Sequence, residues 1–240
     1  MIEFIRETGS TNADLAARLR AGAAVAEGDW LVADRQSAGR GRQGKAWADG
    51  AGNFMGSTVV HLRDGDPEPS SLALVTGLAV RHAVAARLPA GIVAQLKWPN
   101  DVMIAGAKLV GILLERIGGA IVIGIGVNLV AAPDLPDRRT VSLAELGASV
   151  DRDSFAVDLA AALAVDLDRW RMFGIAPIVE RWQQAAHPLG TPLVAGEPGA
   201  EPLAGEFAGL AADGALQLRL PDGTTRIINA GEVRLAGTSG

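Results

Sequence analysis

Apolar and polar positions along the first 190 residues follow two patterns, one typical of strands and one typical of helices. Runs rich in β-branched and other apolar residues predict strands at 2–6, 30–33, 53–62, 93–98, 102–104, 108–115 and 120–129. Apolar residues at helical spacing predict helices at 13–19, 71–88, 153–173 and 177–186. Ser10 and Thr11 precede the first helix as capping residues, and Pro177 stands in the first turn of the last. Strands and helices therefore alternate through this part of the chain.

The residues that follow Pro192 have a different character from those before it. Short alternating stretches separated by proline and glycine occur at 193–194, 206–209, 216–220 and 225–228. Two Asp-Gly dipeptides, at 213–214 and 222–223, are typical of hairpin turns. We therefore expect two domains, a larger one at residues 1–188 and a small β-barrel at residues 189–240.

Net charge and residue types argue against several classes of function. The net charge of −5 argues against general binding to nucleic acid phosphates. The chain has no cysteine, so disulfides, thiolate catalysis and cysteine-based zinc sites are excluded, and a cytoplasmic location is expected. Its three histidines are scattered, so no histidine cluster indicates a metal site. No signal-peptide pattern opens the sequence, and no apolar run reaches the ~20 residues of a membrane helix.

The most unusual stretch of the chain is residues 37–47, which we call the glycine loop. Three glycines alternate there with three cations, in the order Gly39, Arg40, Gly41, Arg42, Gly44 and Lys45. Glycine allows close approach of the backbone to a ligand, and arginine forks match carboxylate or phosphate groups. We expect the loop to close over a small anionic ligand. A solvated turn with a chance run of charge explains the loop equally well when it is taken alone.

Three further features indicate a ligand site, although each also has a local structural explanation. Ser10-Thr11-Asn12 offers hydroxyl and amide groups at a helix start, where capping alone would suffice. Glycines at 111, 124 and 126 interrupt apolar strands. A glycine inside a strand destabilises the strand, and it often marks a place where a ligand must approach the sheet closely. We therefore expect a ligand lying flat on the sheet. Asn128 follows the last of these strands, where a turn-forming role explains it equally well.

Taken in order, these motifs resemble those of the biotin protein ligase family. The resemblance rests on five segments, which are Ser10-Thr11-Asn12, Gln36 with the glycine loop through Trp47, Lys97-Trp98-Pro99-Asn100-Asp101-Val102, Lys108-Leu109-Val110-Gly111-Ile112-Leu113-Leu114-Glu115, and Gly124-Ile125-Gly126-Val127-Asn128. The tail with Gly231-Glu232-Val233 resembles the family's C-terminal SH3-like barrel. Each motif is weak alone, but five in this order are specific, and the resemblance covers nearly the whole chain.

The resemblance implies both a fold and a reaction. The fold is α/β (α+β), a mixed sheet with packed helices like that of class II aminoacyl-tRNA synthetases, followed by a small SH3-like β-barrel. In the reaction, biotin and MgATP give biotinyl-5′-AMP and pyrophosphate, and a lysine of a biotin carrier domain, such as that of acetyl-CoA carboxylase, then displaces AMP. The implied partner is that carrier domain, with no nucleic acid or membrane, and the implied assembly is a monomer or homodimer. The first strand begins near Ile2, so we expect a form without the family's N-terminal DNA-binding domain.

The resemblance also assigns residues to this chemistry, in which cations and Mg²⁺ must offset the repulsion between a carboxylate and a triphosphate. Lys108, Arg42 and Asp101 are the expected catalytic residues, with Lys108 touching both the biotin carboxylate and the α-phosphate. Asp101 would orient the incoming amine or ease its deprotonation, and a purely structural turn role stays open. The expected biotin contacts are Ser10, Thr11, Asn12, Gln36, Gly39, Arg40, Lys108 and Gly111. The expected ATP or adenylate contacts are Arg40, Arg42, Trp47, Lys97, Asn100, Lys108 and Asn128, with Asn128 also a candidate Mg²⁺ contact.

Two rival functions remain open at this point. Lipoate or octanoate ligases and transferases share the scaffold, but their acyl pocket needs no partners for a ureido ring. A nucleic-acid-binding protein would explain the Gly/Arg run, but negative charge, the lack of tyrosine and only five phenylalanines leave little surface for base stacking. Three positions also depart from the family pattern. Lys45 stands where many relatives have arginine, Val110 stands where alanine or glycine is common, and Thr140 offers no aromatic surface for adenine.

Overall fold

The structure is a computed structural model that describes residues 1–196 and 201–236. Its helices are α1 (Thr11–Arg20), α2 (Leu72–Ala85), α3 (Arg152–Phe173) and α4 (Ala176–Ala185). Its first seven strands are β1 (Ile2–Thr8), β2 (Trp30–Gln36), β3 (Phe54–His61), β4 (Ala94–Lys97), β5 (Asp101–Ile104), β6 (Ala107–Ile117) and β7 (Ala120–Val127). Each strand and helix predicted before residue 190 is present, with its ends shifted by a few residues. No helix in the described part of the chain is long and apolar enough to cross a membrane.

The first seven strands form one mixed sheet in the order β1-β2-β3-β7-β6-β5-β4. β1 pairs with β2 in parallel, and the other neighbouring pairs are antiparallel. β5 and β6 are joined by a tight turn at Ala105-Gly106, where both residues have positive φ (48° and 78°). The longest strands, β3, β6 and β7, lie side by side at the centre.

The two faces of this sheet are covered by different helices. α2, α3 and α4 bury one face in the main core. α1 covers the other face with a smaller cluster of Leu15, Ala16, Leu31, Val59, Ala120 and Val122. Because side chains alternate along a strand, Gly124 and Gly126 of β7 lie on the same face as Val122. The first turn of α1 places Asn12 above Gly124, whereas the residue that lies against Gly126 is Trp47.

The residues from Pro192 onward form a second, antiparallel sheet. Its strands are β8 (Pro192–Gly196), β9 (Leu203–Leu210), β10 (Leu216–Arg219), β11 (Thr225–Ile228) and β12 (Glu232–Leu235), in the order β11-β10-β9-β8-β12. It docks on the first sheet partly through Trp98, whose indole N–H donates to the Gly214 carbonyl at 3.1 Å. The mixed sheet, its helices and this small β-domain confirm the expected fold class. Within the described residues β11 does not pair with β12, so the five strands do not close into a barrel.

Candidate active site

A cavity of about 500 Å³ opens above the part of the sheet that α1 leaves uncovered. β6 and β7 form its floor. Its walls come from the start of α1, the glycine loop, the turn between β4 and β5, residues 133–140 and the first residues of β12. The volume suits a small organic ligand. The cavity thus brings segments from both sheets together around one space.

The start of α1 forms a hydrogen-bonded cluster at one end of the cavity. The Thr11 backbone N–H donates to Gln36 Oε1 at 2.8 Å, and the Thr11 hydroxyl lies 2.7 Å from Ser57 Oγ. Ser57 donates to Asn12 Oδ1, and Asn12 Nδ2 donates to Glu115 Oε2, both at 2.7 Å. These bonds fix the side-chain orientations. The cluster therefore presents an ordered set of donors and acceptors to a ligand.

Capping of α1 accounts for the orientation of Ser10, but not for that of the two residues that follow it. Ser10 has extended backbone angles (φ −164°, ψ 126°), and its hydroxyl accepts from the Ala13 N–H at 3.5 Å, as an N-cap residue does. The capping role is therefore taken by Ser10. The next two side chains, Thr11 and Asn12, are buried and bind the other members of the cluster instead.

The glycines of the floor allow close approach of side chains to the sheet. Gly111 and Gly126 face each other across β6 and β7, and the indole ring of Trp47 lies against both. A β-carbon at Gly111 would lie 2.6 Å from Trp47 Cζ3, and one at Gly124 would overlap Asn12. Trp47 and Asn12 thus approach the floor closely, and a ligand lying flat on the floor stays a prediction. The Trp47 indole N–H is buried and has no hydrogen-bond partner among the residues that the structure describes.

The other end of the cavity holds an ion cluster of Lys97, Asp101 and Lys108. Asp101 is buried, and its two carboxylate oxygens lie 2.9 Å from Lys97 Nζ and 2.6 Å from Lys108 Nζ. Burial alone would raise the pKa of Asp101, but the two ammonium groups outweigh it and lower that pKa to about 2. The carboxylate is therefore ionised at neutral pH and holds both lysines at the cavity wall.

Strand register brings this ion cluster together. Lys97 is paired with Asp101 across the hairpin of β4 and β5, and Asp101 is paired with Gly111 on β6. The backbone of Lys108 is held from the other side, because its N–H donates to Arg139 O at 2.8 Å and its carbonyl accepts from Val141 N–H at 3.0 Å. Two successive hairpins therefore place one carboxylate and two cations beside the glycine floor.

Arg42 reaches the cavity from the glycine loop. Its guanidinium donates to Asn100 Oδ1 at 3.1 Å, while Asn100 Nδ2 donates to the Ile112 carbonyl at 2.6 Å. Burial lowers the pKa of Arg42, although the carboxylates of Asp101 and Glu232 oppose the shift. An arginine keeps its charge at neutral pH even so. Arg42 is thus a fixed cation near the ion cluster.

The cavity wall is positive although the whole chain is acidic. The cations that line it are Arg40, Arg42, Lys45, Lys97, Lys108 and Arg138, and the carboxylates are Asp101, Asp137 and Glu232. Six cations against three carboxylates give a local excess of positive charge in a chain whose net charge is −5. Such a concave positive wall favours an anionic ligand.

The structure brings the residues named from the sequence into this one cavity, with one exception. Gly39 does not line the cavity, and a β-carbon there would meet the Trp47 carbonyl at 2.7 Å. The residues that line the cavity but were not assigned to the site from the sequence include Ser57, Pro133, Leu135, Asp137, Arg138 and Glu232. A signal existed for Ser57, a small polar residue in a strand that is otherwise mostly apolar. The others lie in a loop and a short strand whose position depends on tertiary packing.

Asn128 lies at the end of β7 and is buried in the wall. Its amide Nδ2 donates to the Val141 carbonyl at 3.2 Å, which ties the end of β7 to the segment after residue 140. The described residues contain no group of three or more His, Cys, Asp or Glu side chains that could hold a metal ion.

Comparison with known proteins agrees with this architecture. A model described as the biotin/lipoate A/B protein ligase family matches residues 4–129, and one described as the biotin protein ligase C-terminal domain matches residues 194–235. The chain is 38% identical to a biotin--[acetyl-CoA-carboxylase] ligase of Paracoccus denitrificans, over 98% of this chain and 100% of that protein. It is 35% identical to a protein of the same name from Mycobacterium tuberculosis, over 97% of this chain and 88% of that protein.

A solved structure shows the same fold over almost the full length. It is a biotin protein ligase from Aquifex aeolicus in complex with biotin and ATP, with a TM-score of 0.84 and 25% identity. The match covers 98% of this chain and 99% of that chain. The chain therefore belongs to the biotin protein ligases, within the biotin/lipoate A/B protein ligase family.

Proposed function

We propose that this protein uses ATP to activate biotin as biotinyl-5′-AMP and then transfers the biotinyl group to a lysine of a biotin carrier domain. The observation that carries the proposal is the arrangement of the cavity. A polar cluster lies at one end, a glycine floor in the middle and a group of cations at the other end. The relatives named as biotin--[acetyl-CoA-carboxylase] ligases support the same substrate and a carboxylase carrier as the partner.

The polar cluster fits the ureido ring of biotin. A urea group has two N–H donors and a carbonyl acceptor, so it needs both acceptors and donors from the protein. Asn12, Ser57 and Gln36 offer amide and hydroxyl groups of both kinds, and Glu115 holds the Asn12 amide in place. The acyl chain would then cross the glycine floor and bring its carboxylate to the ion cluster.

The cations at the other end of the cavity suit the adenylation of biotin, which is the first step of the proposed reaction. The biotin carboxylate attacks the α-phosphorus of ATP, the new acyl–phosphate bond forms, and pyrophosphate leaves. In this proposal Lys108 neutralises both the carboxylate and the α-phosphate, assisted by Arg40 and Arg42, which also line the cavity. Mg²⁺, when bound to ATP, supplies further charge neutralisation at the phosphates. Asn128 is its proposed protein contact, which fits a cation held mainly by phosphate oxygens and water.

Asp101 is proposed to act in the transfer step by orientation. A carboxyl group with a pKa near 2 is a weak proton acceptor at neutral pH, so proton abstraction is a poor use of it. Its carboxylate, held in place by Lys97 and Lys108, would align the incoming lysine amine by accepting a hydrogen bond from it. The amine, once deprotonated, attacks the acyl carbon of the anhydride, and AMP leaves.

The domain boundary that we propose separates residues 1–188 from residues 189–240. α4 ends at Ala185 and β8 begins at Pro192, so the boundary falls between the last helix and the second sheet. Glu232 and Val233 from the second domain line the cavity, so we assign this domain a part in the reaction. We place the reaction in the cytoplasm, with no nucleic acid or membrane involved and with a monomer or homodimer as the working unit.

The direct test is incubation with biotin, MgATP and a biotin carrier domain, read by mass spectrometry. We expect the carrier to gain the mass of one biotinyl group on one lysine. Biotin-dependent exchange of pyrophosphate into ATP, run in parallel with lipoate and octanoate, identifies the preferred acid. Exchange supported by lipoate or octanoate but not by biotin would contradict the proposal and favour the rival acyl ligases.

The glycine loop provides a prediction about ligand-dependent order. Ordering a glycine-rich loop costs ~1–2 kcal/mol of backbone entropy per residue, and apart from Trp47 the loop has few apolar side chains to offset this cost. We expect trypsin to cut after Arg40 and Arg42 in the empty protein and to be blocked by biotin with MgATP. Cutting after Arg20, an exposed residue at the end of α1, is the internal control. Equal rates at Arg42 with and without ligand would show that the loop is not a ligand-ordered cover.

A further inference from the structure

Two residues at the start of β12, Gly231 and Glu232, contact the glycine loop from the side of the second sheet. Lys45 Nζ lies 2.7 Å from Glu232 Oε1, and Arg42 donates to the Gly231 carbonyl at 3.1 Å. These contacts join positions that are 187 and 189 residues apart in the sequence. The loop is therefore supported by both domains and not by the first sheet alone.

Glu232 also faces the opposite wall of the cavity. Arg138 Nη2 lies 3.6 Å from the same Oε1 atom that Lys45 contacts. Burial would raise the pKa of Glu232, but Lys45, Arg138 and Arg234 outweigh it and hold the pKa below its usual value. Glu232 is therefore ionised at neutral pH. One carboxylate thus lies between cations of two segments that enclose the cavity.

The hydrogen bonds within the glycine loop form only a small hairpin. The Gly41 N–H donates to Lys45 O at 2.7 Å, and the Trp47 N–H donates to Gly39 O at 2.9 Å. A hairpin with so few bonds is at best marginally stable in water. Contacts to the rest of the molecule must therefore decide how often the loop is closed, and Glu232 makes the contact that spans both cavity walls.

We propose that Glu232 is a positioning residue that fastens the closed glycine loop to the second domain and, through Arg138, to the opposite wall. This inference rests on the proposed function, in which the loop covers biotinyl-5′-AMP. Glu232 does not touch the reacting atoms. Its loss loosens the cover, and the reactive anhydride then escapes or meets water before a carrier lysine arrives.

The first test compares E232Q with the matched variant E206Q. Glu206 pairs with Arg219 at 2.5 Å in the same sheet, is exposed and does not line the cavity. Each protein is loaded with radiolabelled biotin and MgATP, and release of labelled biotinyl-5′-AMP is followed after a chase with unlabelled biotin. We expect release from E232Q to be about two- to fivefold faster, as suits a partly exposed ion pair. E206Q should form and release the adenylate at the wild-type rates.

Exchanging the charges of Lys45 and Glu232 tests whether faster adenylate release comes from loss of their ion pair or from a general loss of structure. K45E and E232K should each speed both adenylate release and trypsin cleavage after Arg42, and the double variant K45E/E232K should recover much of the wild-type retention. Wild-type release from E232Q, or a double variant no better than the single ones, would overturn the inference. A wild-type protein that forms no biotinyl-5′-AMP would overturn the proposed function and this inference together.

Discussion

Replacing Lys108 by alanine is expected to slow adenylate formation by about 10²–10³-fold, because one preorganised cation at a developing negative charge has that effect on the rate. Lys108 Nζ lies 2.6 Å from Asp101 and 3.2 Å from the β-carbon position of Gly111, so it faces the end of the glycine floor. There the carboxylate and the α-phosphate would meet. Biotin-dependent exchange of pyrophosphate into ATP measures this step directly.

The matched control for this variant is Arg116→Ala on the same strand. Arg116 is exposed near the far end of β6 and pairs with neither substrate in our proposal. The Arg116→Ala variant should retain biotin-dependent exchange of pyrophosphate into ATP. The fold of Lys108→Ala should also survive, because Asp101 keeps Lys97 as its partner. A loss of exchange smaller than about fivefold, in a protein with normal circular dichroism, would place the essential cation elsewhere.

Replacing Asp101 by alanine is expected to lower the free energy of unfolding at pH 7 by about 3 kcal/mol, because breaking a buried pair leaves uncompensated charge. Lys97 and Lys108 are only 13% and 15% exposed, so water screens their mutual repulsion incompletely. Urea unfolding at pH 7 measures the change. Asp134→Asn, at an exposed position of the cavity rim, is the control and should unfold like the wild type. An Asp101 variant as stable as this control would show that the two lysines do not need the carboxylate.

The same carboxylate predicts the direction of acid sensitivity. Its pKa is about 2 in the folded protein and near 3.8 when unfolded, so its contribution is complete above about pH 4 and is lost as pH falls toward 2. Asp101→Asn should remove this part of the pH dependence. Comparing the unfolding midpoints of wild type and Asp101→Asn between pH 5 and pH 3 would show convergence as the pH falls.

The sequence predicted the first domain well because its strands are apolar and its helices are periodic over many residues. The tight turn at Ala105-Gly106 and the cap at Ser10 depend on local chemistry that the sequence shows directly. The ion cluster could be predicted only in part from the sequence. Lys97 and Asp101 stood in one motif and Lys108 in the next, but their common carboxylate depends on strand register, which the order of motifs does not specify.

The position of β12 in the second domain and its contact with the glycine loop could not be predicted from the sequence. β12 has four residues, and one of them, Val233, is buried, so it carries almost no periodic signal. The contact between Glu232 and Lys45 depends on docking of one sheet against the other, and no local pattern encodes it. The glycine floor is approached closely by Trp47, which is part of the chain itself, and a ligand lying flat on the floor stays a prediction.

The position of Trp47 gives the protein an internal optical reporter. Of the five tryptophans, Trp30, Trp98, Trp170 and Trp182 are at most 5% exposed and belong to the core. Trp47 alone sits on the loop that covers the floor. A collisional quencher such as iodide should therefore reach Trp47 first, and a change in emission on adding biotin should disappear in Trp47→Phe. Occupancy of the cavity can then be followed in real time, without a label and without turnover.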